Sequence, residues 1–125
     1  MTHYIYILYL ENNNWYVGAS YKPDKRIKRH FAGRGAKWTQ KHPPKAIAMI
    51  KKIKGSRKRA ERITTLQLMD KFGILNVRGG AWCQRFLKDR QISCIKKHLK
   101  KLSEPTKEEK MAAEIGCLTN FEISN

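Results

Sequence analysis

Acidic side chains are the scarcest feature of this 125-residue sequence. Only 10 Asp and Glu residues stand against 27 Lys and Arg, which gives a formal net charge of +17. A surface with so few acids attracts polyanions, and nucleic-acid backbones are the commonest polyanions in a cell. An anionic membrane is the competing partner, but the basic amphipathic helix with Trp or Phe that it calls for is not evident. We therefore expect nucleic acid as the partner, although basicity alone predicts binding without chemistry.

Cysteines and long apolar runs are also few. The three cysteines, Cys83, Cys94 and Cys117, form no CxxC pair, so we expect free thiols in a reducing compartment rather than a disulfide framework. No apolar run approaches the ~20 residues that a membrane span needs. The first residues lack the basic start and apolar stretch of a signal peptide. We therefore expect an intracellular protein, located in the cytoplasm or with the nucleic acid of a nucleoid or nucleus.

Strand and helix patterns alternate over the first two-thirds of the chain and are followed by helical patterns only. We divide the chain into a catalytic module at 1–82 and a basic helical extension at 83–125, and the expected fold class is α+β. Residues 33–35 and 76–80 read as basic loops. The predicted elements are a hairpin over 4–10 and 15–20, a helix from Pro23 to Gly33, a strand over 46–53, helices over 56–72 and 85–102, and a short helix ending at Gly116.

Four reactive side chains fall on these elements in an arrangement that suits phosphodiester cleavage. Such cleavage needs a proton acceptor for the attacking water, cationic charge on the phosphate, and usually a metal ion. Tyr16 lies on the second strand, while Arg26 and His30 lie one turn apart on the first helix. Glu61 lies on the next helix, in a segment (23–69) that holds one other acid. Its carboxylate could hold a hydrated divalent cation, or simply pair with neighbouring Arg side chains on a solvated surface.

The positions of these residues resemble the pattern of the GIY-YIG nuclease family. The two tripeptides that name the family appear as Tyr-Ile-Tyr at 4–6 and Tyr-Val-Gly at 16–18, with Tyr4 where the family usually has Gly. The resemblance covers residues 3–82, and the segment 72–80 is similar to a subgroup common in viral and phage proteins, which suggests such an origin. The other positions that match in order and spacing are Arg26, His30, Glu61, Asn76 and the glycine-rich segment 33–39.

This resemblance implies a three-stranded antiparallel sheet flanked by helices, here followed by the C-terminal helical extension. It also implies a metal-dependent endonuclease with a single Mg²⁺ or Mn²⁺ bound by Glu61. An ordinary Tyr has a pKa of about 10, and we expect Arg26 and Lys37 to favour the Tyr16 phenolate. The implied roles are Tyr16 as general base or water-positioning group, Arg26 as phosphate ligand, Tyr6 as a hydrogen-bonding group, His30 as proton-transfer or phosphate-contact group, and Asn76 as support for the site.

Three of these residues also have a purely structural interpretation. Tyr6 would be a core aromatic on a strand, His30 a histidine at a helix C-terminus, and Asn76 a loop cap. Trp38 could stack on an unpaired base or cover the edge of the core. The loop cations expected to bind the nucleic-acid backbone are Arg34, Lys37, Lys41, Arg78 and Arg85.

The expected substrate is DNA, with RNA left open. No zinc finger or helix-turn-helix is recognisable, so we expect low sequence specificity or recognition of nucleic-acid shape. One active site cuts one strand, and a double-strand cut would therefore require a homodimer or two successive visits. Two other classes stay open, namely a catalytically silent nucleic-acid-binding module on the same fold and a structural protein that docks an acidic partner.

Overall fold

The computed structural model of the chain describes residues 2–103, with the backbone alone for residues 102 and 103. The helix expected to end at Gly116 lies outside the described residues. Within them, no helix is long and apolar enough to cross a membrane. The strands are β1 (Tyr4–Leu10), β2 (Asn14–Ser20), β3 (Pro44–Lys52) and β4 (Val77–Gly79), and the helices are α1 (Pro23–Phe31), α2 (Lys37–Lys41), α3 (Arg57–Phe72) and α4 (Asp89–Ser103).

The sheet has four strands in the order β3-β1-β2-β4, which corrects the expected three-stranded antiparallel sheet. Strands β1, β2 and β3 pair antiparallel, but β4 runs parallel to β2, with Trp15 opposite Val77 and Val17 opposite Gly79. A parallel neighbour needs a long crossover connection, and α3 provides it here. The three residues of β4 are too few to show an alternating pattern, so the segment 76–80 read as a loop.

The predicted hairpin is confirmed, and its turn explains the run of Asn residues. Asn12 and Asn13 have φ of 61° and 58°, in the left-handed region that Asn tolerates better than most residues. The alternation of side chains along β1 and β2 gives the sheet two covered faces. One face packs on α3 and α4 through residues such as Ile7, Val17 and Ile95. The other face, which carries Tyr6 and Tyr16, packs on α1 and α2.

Helices α1 and α3 form where their end signals predicted. Pro23 stands at the first position of α1, where its missing N–H costs nothing. The Ser56 hydroxyl accepts the Arg59 N–H at the start of α3, and Gly73 ends that helix with φ of 99°. Helix α4 begins at Asp89, four residues later than expected, because the preceding residues form a loop. Its fully buried Ile95 packs in the core together with residues of the first module. The division of the chain at residue 82 stays a prediction.

The short helix α2 was not foreseen, and it changes the interpretation of Trp38. The helix begins within the glycine-rich segment 33–39, in which only the loop at 33–35 was foreseen, and it extends to Lys41. The Trp38 side chain is 3% exposed, and its indole N–H donates to the Trp15 carbonyl at 3.0 Å. Trp38 therefore covers the edge of the core, and its expected stacking on a nucleic-acid base is wrong because no face of the ring is free.

Arg78 is a buried anchor rather than the backbone-binding cation that its loop position predicted. Its side chain is 2% exposed, and its guanidinium carbon lies 4.1 Å from the centroid of the Trp38 ring. Burial lowers the pKa of Arg78 to about 10, so the group stays charged near neutral pH. Its guanidinium donates to main-chain carbonyls on both sides in sequence, namely those of Ile74 (3.2 Å), Val77 (2.9 Å), Gln84 (2.7 Å) and Arg85 (3.3 Å).

We expect Arg78→Ala to lower the free energy of unfolding by at least about 2 kcal/mol, because one buried and several partly buried carbonyls lose their donor at once and the packing on Trp38 is lost. Urea unfolding followed by tryptophan fluorescence measures this loss. The control is Arg85→Ala, which removes the same charge from an exposed side chain and should change stability by less than about 0.5 kcal/mol. Equal stability of the two variants would show that the Arg78 contacts are dispensable.

Candidate active site

The structure brings together five of the six residues expected to carry the chemistry. Tyr6 and Tyr16 come from adjacent strands, Arg26 and His30 from α1, and Glu61 from α3. The three aromatic rings cluster, with centroids 4.9 Å apart for Tyr16–His30, 5.7 Å for Tyr6–His30 and 6.4 Å for Tyr6–Tyr16. Arg26 hydrogen-bonds to the Tyr6 hydroxyl, and its charge acts on the pKa values of the other four. We call these five residues the catalytic cluster.

Gly18 makes room for the Tyr6 ring. The two residues are opposite each other on β2 and β1, and a Cβ at Gly18 would overlap the Cζ and hydroxyl oxygen of Tyr6. Gly35 plays the same part for His30, since a Cβ there would overlap Nδ1 of the imidazole. Both glycines are therefore needed for close approach rather than for an unusual backbone angle.

His30 is held in one tautomer by a chain of buried hydrogen bonds. The Thr39 hydroxyl donates to the Ala36 carbonyl at 2.8 Å, so its oxygen is left to accept the Nδ1–H of His30 at 3.0 Å. The Ala36 N–H is 3.4 Å from the same nitrogen, too long to decide the tautomer. Nε2 of His30 is then the acceptor, and the Tyr6 hydroxyl donates to it at 2.9 Å.

Burial determines which of its two expected roles His30 can fill. Its side chain is 1% exposed, and burial, with smaller effects of the Arg26 and Arg29 charges, lowers the pKa of His30 to about 4. The imidazole is therefore neutral near pH 7. Direct contact with a phosphate is excluded because the ring is enclosed. The role that remains is to accept the hydrogen bond from the Tyr6 hydroxyl and so to fix the orientation of that hydroxyl.

The Tyr16 hydroxyl stays protonated, which corrects the expectation that Arg26 and Lys37 favour its phenolate. Burial raises the pKa of Tyr16, followed in effect by Cys83, Tyr6 and Glu61, and the Arg26 charge opposes the shift only in part. The side chain is 6% exposed. The sequence shows the positive charges that would lower the pKa of Tyr16, but it does not show how deeply the phenol is buried. Desolvation raises the pKa by more than the Arg26 charge lowers it.

Cys83 is a neighbour of Tyr16 that the sequence did not reveal. The thiol donates to the Gly80 carbonyl, with 2.9 Å between sulfur and oxygen, so the sulfur is left to accept the hydrogen bond from the Tyr16 hydroxyl. Burial raises the pKa of Cys83, and the nearby Glu61 carboxylate adds to this, so the group remains a thiol near neutral pH. A single cysteine in a loop carries no pattern from which this contact could be predicted.

The Glu61 carboxylate is half-buried at the point where β4 stops pairing with β2. The Ala19 N–H, beyond that pairing, donates a hydrogen bond to the carboxylate. Burial raises the pKa of Glu61, while Arg57, this hydrogen bond and Arg26 lower it. Glu61 lines a cavity of about 560 Å³ together with Ser56, Arg57, Lys58, Arg59, Arg62, Gly80 and Ala81.

The donor set at Glu61 fits a hydrated Mg²⁺ or Mn²⁺ better than a fully protein-bound metal. Among the described residues, no group of three or more His, Cys, Asp or Glu side chains could hold a metal ion. Mg²⁺ commonly uses one or two carboxylates and keeps several waters or phosphate oxygens as ligands. A single carboxylate beside an open, strongly basic cavity meets that requirement.

The structure places Asn76, the sixth expected site residue, away from the other five. Its side-chain amide donates to the Phe72 carbonyl at 2.8 Å and so closes the C-terminal end of α3. Glu61 stands eleven residues before Phe72 on the same helix, which corresponds to ~16 Å. The loop-cap interpretation of Asn76 therefore holds in place of the support role, because the fifteen-residue spacing to Glu61 places the two at opposite ends of α3.

Three of the four remaining cations expected to bind backbone share one surface. Lys37 and Lys41 of α2 and Arg85 of the loop before α4 line a cavity of about 310 Å³ with Gln40. Arg34 is exposed in the loop after α1 and does not line it.

Comparison with known proteins supports the family to which the pattern pointed. The family model of the GIY-YIG catalytic domain matches residues 2–68. Curated relatives are bacterial UPF0213 proteins, and the matched segment spans about half of their length or less. No solved structure matches the chain. UPF0213 protein BH0048 of Halalkalibacterium halodurans is 46% identical over 44 residues, which are 35% of this chain and 47% of that protein. UPF0213 protein NMA2126 of Neisseria meningitidis is 37% identical over 46 residues, which are 37% of this chain and 50% of that protein. UPF0213 protein YazA of Bacillus subtilis is 38% identical over 42 residues, which are 34% of this chain and 42% of that protein.

The neutral, buried His30 makes the stability of the fold depend on pH. The unfolded chain takes up a proton on His30 below about pH 6.5, whereas the folded chain does so only near pH 4. Stability is therefore greatest above that window and falls as the pH is lowered through it, by up to about 3 kcal/mol. Urea unfolding at several pH values should show this fall for wild type and a smaller fall for His30→Gln. Parallel curves for the two proteins would mean that His30 does not titrate as described.

Proposed function

Because the chain belongs to the GIY-YIG family, we propose that it is a divalent-metal-dependent endonuclease that hydrolyses phosphodiester bonds in nucleic acid, with DNA favoured over RNA. The observation that carries the proposal is the meeting of Tyr16, Arg26 and Glu61, which come from three separate elements. A binding module on the same fold would need the basic surface but would have no use for a half-buried carboxylate beside a buried phenol. The bacterial relatives give no support to a viral or phage origin.

Arg26 is the group that would hold the scissile phosphate. Its guanidinium is exposed, yet it is oriented from behind by its hydrogen bond to the Tyr6 hydroxyl. That hydroxyl in turn donates to Nε2 of His30, so its oxygen is left to accept from Arg26. A planar guanidinium offers paired N–H donors that match two phosphate oxygens. The buried Tyr6–His30 pair thus serves to position an exposed cation.

Tyr16 is suited to orient the attacking water through its hydroxyl. The raised pKa argues against a resident phenolate as general base near neutral pH. In the free protein the Tyr16 hydroxyl lies beside the Cys83 thiol. A water molecule that displaced this contact would be held between the Tyr16 hydroxyl and the phosphate on Arg26.

Glu61 would hold the single Mg²⁺ or Mn²⁺. When bound there, the cation would supply positive charge to the phosphate as negative charge develops on its oxygens. The Ala19 N–H fixes one part of the carboxylate, and the raised pKa means that a cation must compete with protons at acidic pH. We expect low sequence specificity, and a double-strand cut would require a homodimer or two successive cuts.

Cleavage of plasmid and single-stranded substrates tests the proposal directly. Wild type should cut in Mg²⁺ or Mn²⁺ and not in EDTA. Tyr16→Phe and Glu61→Gln should each lower the cleavage rate by about 10²-fold or more. The matched controls are Tyr9→Phe, which removes a hydroxyl bonded to Asn13, and Glu11→Gln, a change at an exposed acid. Equal cleavage by all variants would point to a contaminant, and binding without any cleavage would favour the catalytically silent module.

Binding in EDTA separates the role of Glu61 in chemistry from any role in affinity. Glu61→Ala should bind nucleic acid as tightly as wild type or more tightly, because it removes a negative charge from a cationic surface. Fluorescence anisotropy with a labelled oligonucleotide measures this, and the affinity should fall with salt at a log–log slope of about −0.9 per phosphate neutralised on duplex DNA. Weaker binding by Glu61→Ala than by Glu11→Ala would contradict the proposed arrangement.

A further inference from the structure

Phe86 is the most exposed of the large hydrophobic side chains in the described part of the chain, at 71%. It stands at the rim of a cavity of about 410 Å³ that the catalytic cluster does not use. The Lys41 ammonium lies 4.1 Å from the centroid of the Phe86 ring. An aromatic ring left in water beside a cation is the arrangement on which unpaired nucleic-acid bases stack.

The walls of this cavity combine positive charge with groups that form hydrogen bonds. Lys41 and Arg85 line both this cavity and the one of about 310 Å³ that Lys37 also lines, so the two cavities adjoin. Among the described residues, no Asp or Glu lines either cavity. The other polar side chains of the larger cavity include those of Asn12, Asn14, Asn76 and His42.

The cavity is close to the catalytic cluster and rigidly connected to it. Cys83 contacts Tyr16, and Phe86 follows three residues later in the same loop. The buried Arg78 holds that loop by donating to the carbonyls of Gln84 and Arg85. Arg78 itself stands opposite Tyr16 in the β2–β4 pairing, about 5 Å away between backbones. A strand whose phosphate lies at the catalytic cluster would therefore reach the cavity within a few nucleotides.

We propose that this cavity binds one unpaired nucleobase of the substrate strand, stacked on Phe86, with the neighbouring phosphates on Lys37, Lys41 and Arg85. We call it the base site. The inference rests on the proposed function in one respect, that the bound strand is nucleic acid. It adds that one base of that strand must not be base-paired. That base is either part of a single strand or extruded from a duplex, and both present the same ring to Phe86.

Binding measured in EDTA tests the base site without requiring cleavage. Phe86→Ala should weaken binding of a labelled single-stranded oligonucleotide about 5- to 150-fold, the range that corresponds to one base–aromatic stack. Phe86→Tyr keeps the ring and should stay within about 2-fold of wild type. The matched control is Phe31→Ala, which removes an exposed aromatic that lines neither cavity. Melting temperatures of the variants verify that each is folded.

Salt dependence distinguishes stacking from charge at the same site. Phe86→Ala should leave the log–log salt slope unchanged, because an aromatic ring neutralises no phosphate. Arg85→Ala should make the slope shallower by about 0.7, the value for one phosphate contact on a single strand. A change of slope in Phe86→Ala would mean that the substitution acts by displacing cations, and it would overturn the stacking assignment.

An abasic scan locates the base and identifies its source. Oligonucleotides with one abasic residue at successive positions should bind wild type weakly at one position, and Phe86→Ala should show no further loss there. A duplex with one bulged base should share the Phe86 dependence, whereas a fully paired duplex should share it only if the protein extrudes a base. If no nucleic acid binds at all, the proposed function fails. If the oligonucleotides bind but Phe86→Ala, Phe86→Tyr and wild type are equal, the base site alone is overturned.

Discussion

The burial of the Arg78 guanidinium is the constraint on which the arrangement of this protein depends. In the folded protein, main-chain carbonyls and the face of the Trp38 ring take the place of the water that would otherwise surround this guanidinium. A charged group is expensive to bury unless nearly all its donors are satisfied, so the segments that supply the carbonyls have little freedom to move. Those segments include the turn after α3, strand β4 and the loop that carries Cys83 and Phe86. One buried cation thus fixes both a wall of the catalytic cluster and the rim of the base site.

Burial also redistributes the roles within the catalytic cluster. Tyr6, Tyr16 and His30 all remain neutral near pH 7, mainly because burial disfavours the charged form of each. The Arg26 charge opposes this effect at the two tyrosines and adds to it at His30. The charged groups that can meet a substrate are therefore Arg26, which is exposed, and Glu61, which is half-buried. Of the neutral groups, Tyr6 interacts with Arg26, whereas the Glu61 carboxylate is held by the Ala19 main chain. This separation of a neutral, rigid interior from a charged rim is a form of preorganisation, since the charges need not reorient when a phosphate arrives.

Local signals in the sequence were sufficient for the hairpin and for α1 and α3. The family pattern was sufficient to name five residues that the fold brings together, although their roles stay predictions. Pro23, Ser56 and Gly73 mark helix ends through their own backbone chemistry, so their positions could be predicted. Strand β4 and helix α2 were missed because each is short and is stabilised by contacts distant in sequence. Arg78 and Trp38 were expected to contact nucleic acid because the contacts that bury them are also distant in sequence. A cation or an aromatic residue in a loop has the same sequence signature whether it faces solvent or is enclosed by the fold.

The family match ends at residue 68, whereas β4, the Arg78 anchor and Phe86 all follow it. The segment that carries Tyr16, Arg26 and Glu61 is thus shared with the family. The segment that carries Cys83, next to Tyr16, and contributes Arg85 and Phe86 to the base site lies outside the match. Because Arg78 pairs opposite Tyr16 and holds the loop to Phe86, changes in this later segment can alter which strand is accepted while the reacting groups stay in place. If the proposed base site binds the substrate, the loop between β4 and α4 is therefore where the choice of strand would be made.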